Sequence, residues 1–172
     1  MDAEQLRSLQ APLKEKYRAD ASAAVVTLRA RSRIGEGITC KVETGRALIE
    51  AGLHPASGGD GSVACSGDML LEALAGCAGV TLRAVATAIG VELRDARILA
   101  EGDLDFRGTL GVSKDVPVGF KRIRLRFELD TDASEEQRAT LVRLTERYCV
   151  VLQTLCSPPA IAVEQALAVE LK

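Results

Sequence analysis

The sequence predicts an α+β domain on three observations: two long helical patterns of apolar residues, several runs of period-two alternation, and turn signals that leave the strands in antiparallel meanders. At 172 residues, 47% apolar and 27% charged, the chain is of a size to form one compact domain without disulfides or a metal.

Leu6, Leu9, Leu13 and Tyr17 recur at spacings of three and four, which suits a short leading amphipathic helix with a possible break at Ala11, before Pro12. Val25 to Arg31 then alternates towards Gly35-Glu36-Gly37, and Ile38 to Glu43 resumes beyond it, a hairpin pattern. Val26, Leu28 and Ala30 share one face of its first strand, and Arg29, Arg31 and Arg33 the other. Residues 54–68 are rich in Gly and small polar residues and read as a mobile loop feeding a helix at about Asp68. From Leu70 to Ala88 that helix is apolar round most of its circumference, as a central helix must be, and Gly90 ends it.

Ala96 to Arg107 and Arg122 to Asp130 alternate as half-buried strands, separated by the Val116-Pro117-Val118-Gly119 turn. Ser134-Glu135-Glu136-Gln137 is a capping box opening a second long helix, with Leu141, Leu144, Tyr148, Leu152 and Leu155 as its stripe and Pro158-Pro159 as its end. Ala160 to Leu171 reads as a closing strand.

The net charge of −2 excludes a generally basic nucleic-acid binder, and no Trp, two Tyr and three Phe leave little for stacking bases. The apolar stretch Leu70–Ile89 contains Glu72 and Arg83, so a buried helix is expected and no membrane span. The opening Met1-Asp2-Ala3-Glu4-Gln5 lacks the basic and apolar regions of a secretory signal, so a cytoplasmic location is expected. The five cysteines are then thiols. One histidine and no Cys-x-x-C pair make a metal site unexpected, and no nucleotide-binding or hydrolase motif suggests a cofactor. His54, followed by Pro, reads as a solvent-facing loop residue.

The cysteines are the remaining chemistry. Cys77 lies mid-way along the apolar helix in Ala75-Gly76-Cys77-Ala78-Gly79, where small neighbours leave space around the sulfur, although a small buried hydrophobe is the plainer account. Cys149 lies at the shoulder of the second helical stripe. Cys156 follows seven residues on, about 10 Å along a straight helix and beyond disulfide reach. A functional Cys77 and Cys149 pair and mere packing both stay open on spacing alone.

Ser66-Gly67-Asp68-Met69-Leu70-Leu71-Glu72-Ala73-Leu74-Ala75-Gly76-Cys77 resembles the first helix motif of the OsmC/Ohr family, and Glu146-Arg147-Tyr148-Cys149 resembles its second. Pro117-Val118-Gly119-Phe120, the strand to Asp130 and the capped helix at Ser134 follow in that family's order. The likeness covers roughly residues 25–170 of a single 1–172 domain, with 1–20 as a helical extension. It implies an OsmC-like fold, antiparallel sheets around two long central cysteine-bearing helices, in an intertwined homodimer with sites at the subunit interface.

By the same resemblance, Cys77 attacks a small-molecule organic hydroperoxide and becomes a sulfenic acid, Cys149 resolves it as a disulfide, and an external dithiol reduces that disulfide. An ordinary thiol is only about 3% ionised at pH 7, so such a cysteine needs a group that favours its thiolate. The family supplies an arginine near the N-terminal hairpin, held by a carboxylate at the start of the first cysteine helix. Arg33 is the nearest positional match, with Arg31 and Arg29 as alternatives, and Asp68 takes the carboxylate position. Leu70, Leu74 and Val80 would give the sulfur apolar surroundings. The alternative is a non-enzymatic protein of the same fold that binds an apolar or thiol-reactive small molecule in the interface pocket. Neither reading involves nucleic acid, a membrane or a cofactor.

Overall fold

The computed structural model describes residues 3–34, 40–42, 51–62, 64–163 and 165. Its first helix, α1 (Ala3–Ala19), runs unbroken through Pro12, so the break near Ala11 does not occur. Pro12 is exposed, and the carbonyl left without a donor by its missing N–H belongs to one residue, Ser8, that is also exposed to solvent. The helix is held from its other side. Tyr17, 3% exposed, donates its hydroxyl to the Ala56 carbonyl at 2.7 Å, and Gln10 Nε2 donates to the Ser57 carbonyl at 3.2 Å.

A 3₁₀ turn at Ala21–Ala24, capped by Asp20, leads into β1 (Val25–Ile34). β2 (Cys40–Val42) returns antiparallel, with Ile34 opposite Cys40, as the hairpin pattern predicts. The Gly35-Glu36-Gly37 turn lies outside the described residues. β3 (Ala51–Gly52) and β4 (Ala64–Cys65) form a short parallel pair, an exception to the antiparallel expectation.

Within the segment between them, residues 54–59 form a packed turn where a loose loop was expected. His54 caps a 3₁₀ turn at Pro55–Ser57, its Nδ1 accepting from Ala56 N at 3.0 Å, and its ring stacks on Phe106 with centroids 5.0 Å apart. Its predicted solvent-facing role is therefore replaced by a part-buried structural one. Gly59 is demanded by close approach: a Cβ there would lie 1.7 Å from the Leu53 carbonyl oxygen.

α2 (Ser66–Ile89) is the central helix, closed by Gly90 at φ +70°. Leu71, Leu74, Ala75, Ala78, Leu82, Val85 and Ala86 are buried along it. By length and apolarity α2 could cross a membrane; here its buried side packs against the sheet and the following helices.

β5 (Asp95–Asp105) runs into the single turn α3 (Phe106–Thr109), and β6 (Phe120–Asp130) follows. The main sheet is antiparallel in the order β2-β1-β5-β6. Ala96, Ile98, Ala100 and Leu104 of β5 are buried in the same core as α2. α4 (Glu135–Tyr148) opens with the complete Ser134–Gln137 capping box, and α5 (Val150–Cys156) follows a break at Cys149. The second long helix of the sequence reading is thus two helices, and Cys149 sits at their joint rather than within a helix. Residues 158–163 form neither helix nor strand, so the expected closing strand does not begin at Ala160; residues 164 and 166–172 lie outside the described residues.

The opposite face of the sheet is a lattice of charges. Arg124 Nη1 and Nη2 donate to Asp103 at 2.5 and 3.0 Å, and Arg107 Nε and Nη2 donate to the fully buried Asp105 at 3.0 and 2.6 Å. The hydrogen bond from Arg124 holds Asp103 down at about 2, and that from Arg107 holds Asp105 below its ordinary value. A carboxyl whose folded pKa is depressed adds stability above its unfolded pKa and loses it as pH falls through the folded one. Thermal unfolding midpoints should therefore drop steeply between about pH 4 and 2, and less steeply in Asp103→Asn, which lacks the linked proton. A midpoint flat across that window would refute the assignment.

Candidate functional site

The site is built where α2 passes the joint between α4 and α5. α4's hydrogen-bond ladder ends with Cys149 N donating to the Thr145 carbonyl at 2.9 Å, and α5's begins with Gln153 N donating to the Cys149 carbonyl at 2.9 Å. Cys149 itself is extended, at φ −72° and ψ 105°. The N–H groups of Val150 and Val151 are thereby left without helical acceptors, and they face the sulfur of Cys77. Cys149, fully buried, turns its thiol to the same sulfur.

Cys77 is half-buried, and Cys65, Cys77, Cys149 and Cys156 are all free thiols. Burial works against ionisation of Cys77, but the Val151 N–H, the Cys149 thiol, the Thr81 hydroxyl and the Val150 N–H outweigh it, and the thiol is held below its ordinary pKa. Cys149 is driven the other way, chiefly by burial and then by the neighbouring Cys77. The pair therefore consists of one sulfur favoured as thiolate and one kept as thiol. Ionisation is thus eased at Cys77 and opposed at Cys149, which makes Cys77 the better nucleophile of the two.

Thr81 was not singled out by the sequence reading, yet its position was legible: four residues after Cys77, it shares that face of α2. Val80 and Leu70 lie on the same side, three residues after and seven before, and each is 38% exposed. Leu74, expected beside them, is fully buried in the core. On either side of the joint, Tyr148 and Val150 are 58% and 70% exposed.

The two charged candidates stand elsewhere. Arg33 donates through Nε and Nη2 to Asp95 at 2.8 and 2.6 Å, on the exposed charged face of the sheet. The side chains of its alternatives, Arg29 and Arg31, lie outside the described residues. Asp68 lies nine residues before Cys77, about 13 Å along the helix and about half a turn round it. Burial raises its carboxyl pKa, with His54 a smaller influence in the other direction; Glu72, one turn on, is raised by burial and by Asp68. Among the described residues no group of three His, Cys, Asp or Glu side chains could hold a metal ion.

A family model described as OsmC-like protein matches residues 59–164, from the turn before α2 to beyond α5. The chain belongs to the OsmC-like family. None of the curated proteins matches it. Among solved structures, this OsmC-like protein is similar to an OsmC-like hydroperoxide resistance protein from Jannaschia sp. CCS1, at a TM-score of 0.59 and 17% identity, over 87% of this chain and 97% of that one. It is also similar to an OsmC-like protein from Mycoplasma pneumoniae, at 0.55 and 16%, over 78% and 86%. At these identities the likeness to the two structures is one of fold.

Proposed function

We propose that this OsmC-like protein reduces organic hydroperoxides through Cys77 and Cys149. The observation that carries this reading is the contact between a half-buried thiol biased towards its thiolate and a buried thiol biased against it. A relative of the same fold is a hydroperoxide resistance protein, which adds to it. The Cys77 thiolate attacks the terminal oxygen of R–O–O–H; the S–O bond forms as the O–O bond breaks, leaving a sulfenic acid and an alkoxide that takes a proton to become the alcohol. The Cys149 sulfur then attacks the sulfenic sulfur, the S–S bond forms, and the hydroxyl leaves with the thiol proton as water. An external dithiol returns both thiols by exchange.

Leu70, Val80 and Val150 beside the site favour an apolar R group, and with Tyr148 they offer the apolar surface on which a second copy would close the site in a homodimer. The engagement of Arg33 with Asp95 favours a second reading, a binding protein that uses the same cysteine site without turnover. One experiment separates the two. Treating reduced protein with one equivalent of cumene hydroperoxide, and separately of hydrogen peroxide, should remove two thiols and yield a Cys77–Cys149 disulfide in peptide mass spectra, faster with the organic peroxide. Survival of all five thiols through minutes of exposure would leave the binding reading.

A further inference from the structure

The break at Cys149 occurs without a proline or glycine at residues 149 to 151. In a straight helix the Val150 N–H would donate to the Glu146 carbonyl four residues back. Here that carbonyl is taken by a side chain: Gln153 Nε2 donates to Glu146 O at 2.8 Å, while the Gln153 backbone N–H donates to the Cys149 carbonyl at 2.9 Å. One residue thus serves both sides of the joint. Its amide occupies the acceptor that Val150 would need in order to close the helix, and its backbone starts the next one. A carbonyl stripped of its helical donor costs stability unless another donor meets it, so the Gln153 amide offsets what the break costs.

We propose that Gln153 is a positioning residue for Cys77: by bridging the α4–α5 joint it keeps the Val150 and Val151 N–H groups turned out of the helix and onto the Cys77 sulfur. Gln153 is exposed and touches neither cysteine side chain in any hydrogen bond of the structure, so it acts through the backbone it holds. The proposal deepens the reading of Cys77 as the reactive thiol and rests on it, but its consequence is thiol ionisation and needs no peroxide.

The test is the rate of iodoacetamide alkylation of Cys77 against pH in the reduced full-length protein, followed by peptide mass spectrometry, with exposed Cys156 as the internal reference. Gln153→Ala and Gln153→Glu, the latter keeping the shape but losing the donor, should raise the Cys77 midpoint by about one pH unit, a loss of about tenfold in rate near pH 7. Gln153→Ala should leave Cys156 unmoved, while the charge of Gln153→Glu, one turn away, acts on both thiols. Adding Val150→Pro to Gln153→Ala should bring the midpoint back at least half-way, because proline disfavours a helical conformation at Cys149 and enforces the joint while the Val151 N–H remains. A Cys77 midpoint unchanged in both single variants would overturn the proposal, as would a raised midpoint that the proline does not lower. If the midpoints move as expected in a protein whose thiols survive cumene hydroperoxide, the positioning role stands and the peroxidase reading falls.

Discussion

Cys77→Ser should abolish the reaction with cumene hydroperoxide, lowering peroxide consumption by about 10³-fold or more, whereas Cys149→Ser should consume one equivalent and stop. The difference follows from the environments of the two sulfurs. Cys77 is reachable and receives the Val150 and Val151 N–H groups; Cys149 is fully buried and held as a thiol. In Cys149→Ser the sulfenic acid has no neighbouring thiol to condense with, so it should be captured by dimedone at Cys77, while the unmodified protein yields a disulfide and little adduct. Serine preserves size at both positions, so circular dichroism and the unfolding midpoint should move little. Full turnover by Cys77→Ser, or a dimedone adduct on another cysteine, would assign the nucleophile elsewhere.

The largest loss of stability should come from Leu74→Ala. Leu74 is fully buried on the core side of α2, three residues before Cys77, and truncation removes apolar contacts and leaves a cavity. The cost should be about 3 kcal/mol, or about 6–12 °C in Tm for a chain of this size. Leu70→Ala, on the exposed side of the same helix, should cost far less in a monomer, so a large loss there would point to burial of that face in an assembly. Urea unfolding of both variants separates the cases, and a Leu74→Ala unfolding free energy within about 1 kcal/mol of the original would contradict the packing described.

Much of this fold was legible because its signals are local. The apolar circumference of α2, its Gly90 terminus, the Ser134 box and the alternation of β1, β5 and β6 are each written in consecutive residues. The family motifs placed Cys77 and Cys149, and the structure brings them together. What escaped the sequence depends on contacts between distant residues. No breaker residue announces the joint at Cys149, because a side chain three residues beyond the second cysteine's neighbour and the packing of Cys149 itself hold it. Glycines 58, 59 and 61 suggested mobility, but Gly59 is required by its contact with Leu53. Arg33 was matched by position along β1, while its partner Asp95 comes from a strand whose register on β1 no local pattern gives.

That register has a consequence for how the chain is made. β1 pairs with β5 from Val25 opposite Asp105 to Arg33 opposite Arg97, so the middle of the sheet joins residues up to 80 positions apart, with all of α2 between them. A ribosome adding about 5–20 residues per second delivers β5 roughly 4–16 s after β1. From its own emergence until residue 105 follows, α2, apolar enough to pass for a membrane span, has β1 and β2 to pack on but not β5. Holding that one helix until residue 105 has emerged is the demand this topology places on the chaperones of the cell that makes it, and slowing translation shortly after α2 should raise the aggregated fraction more than slowing it after β6.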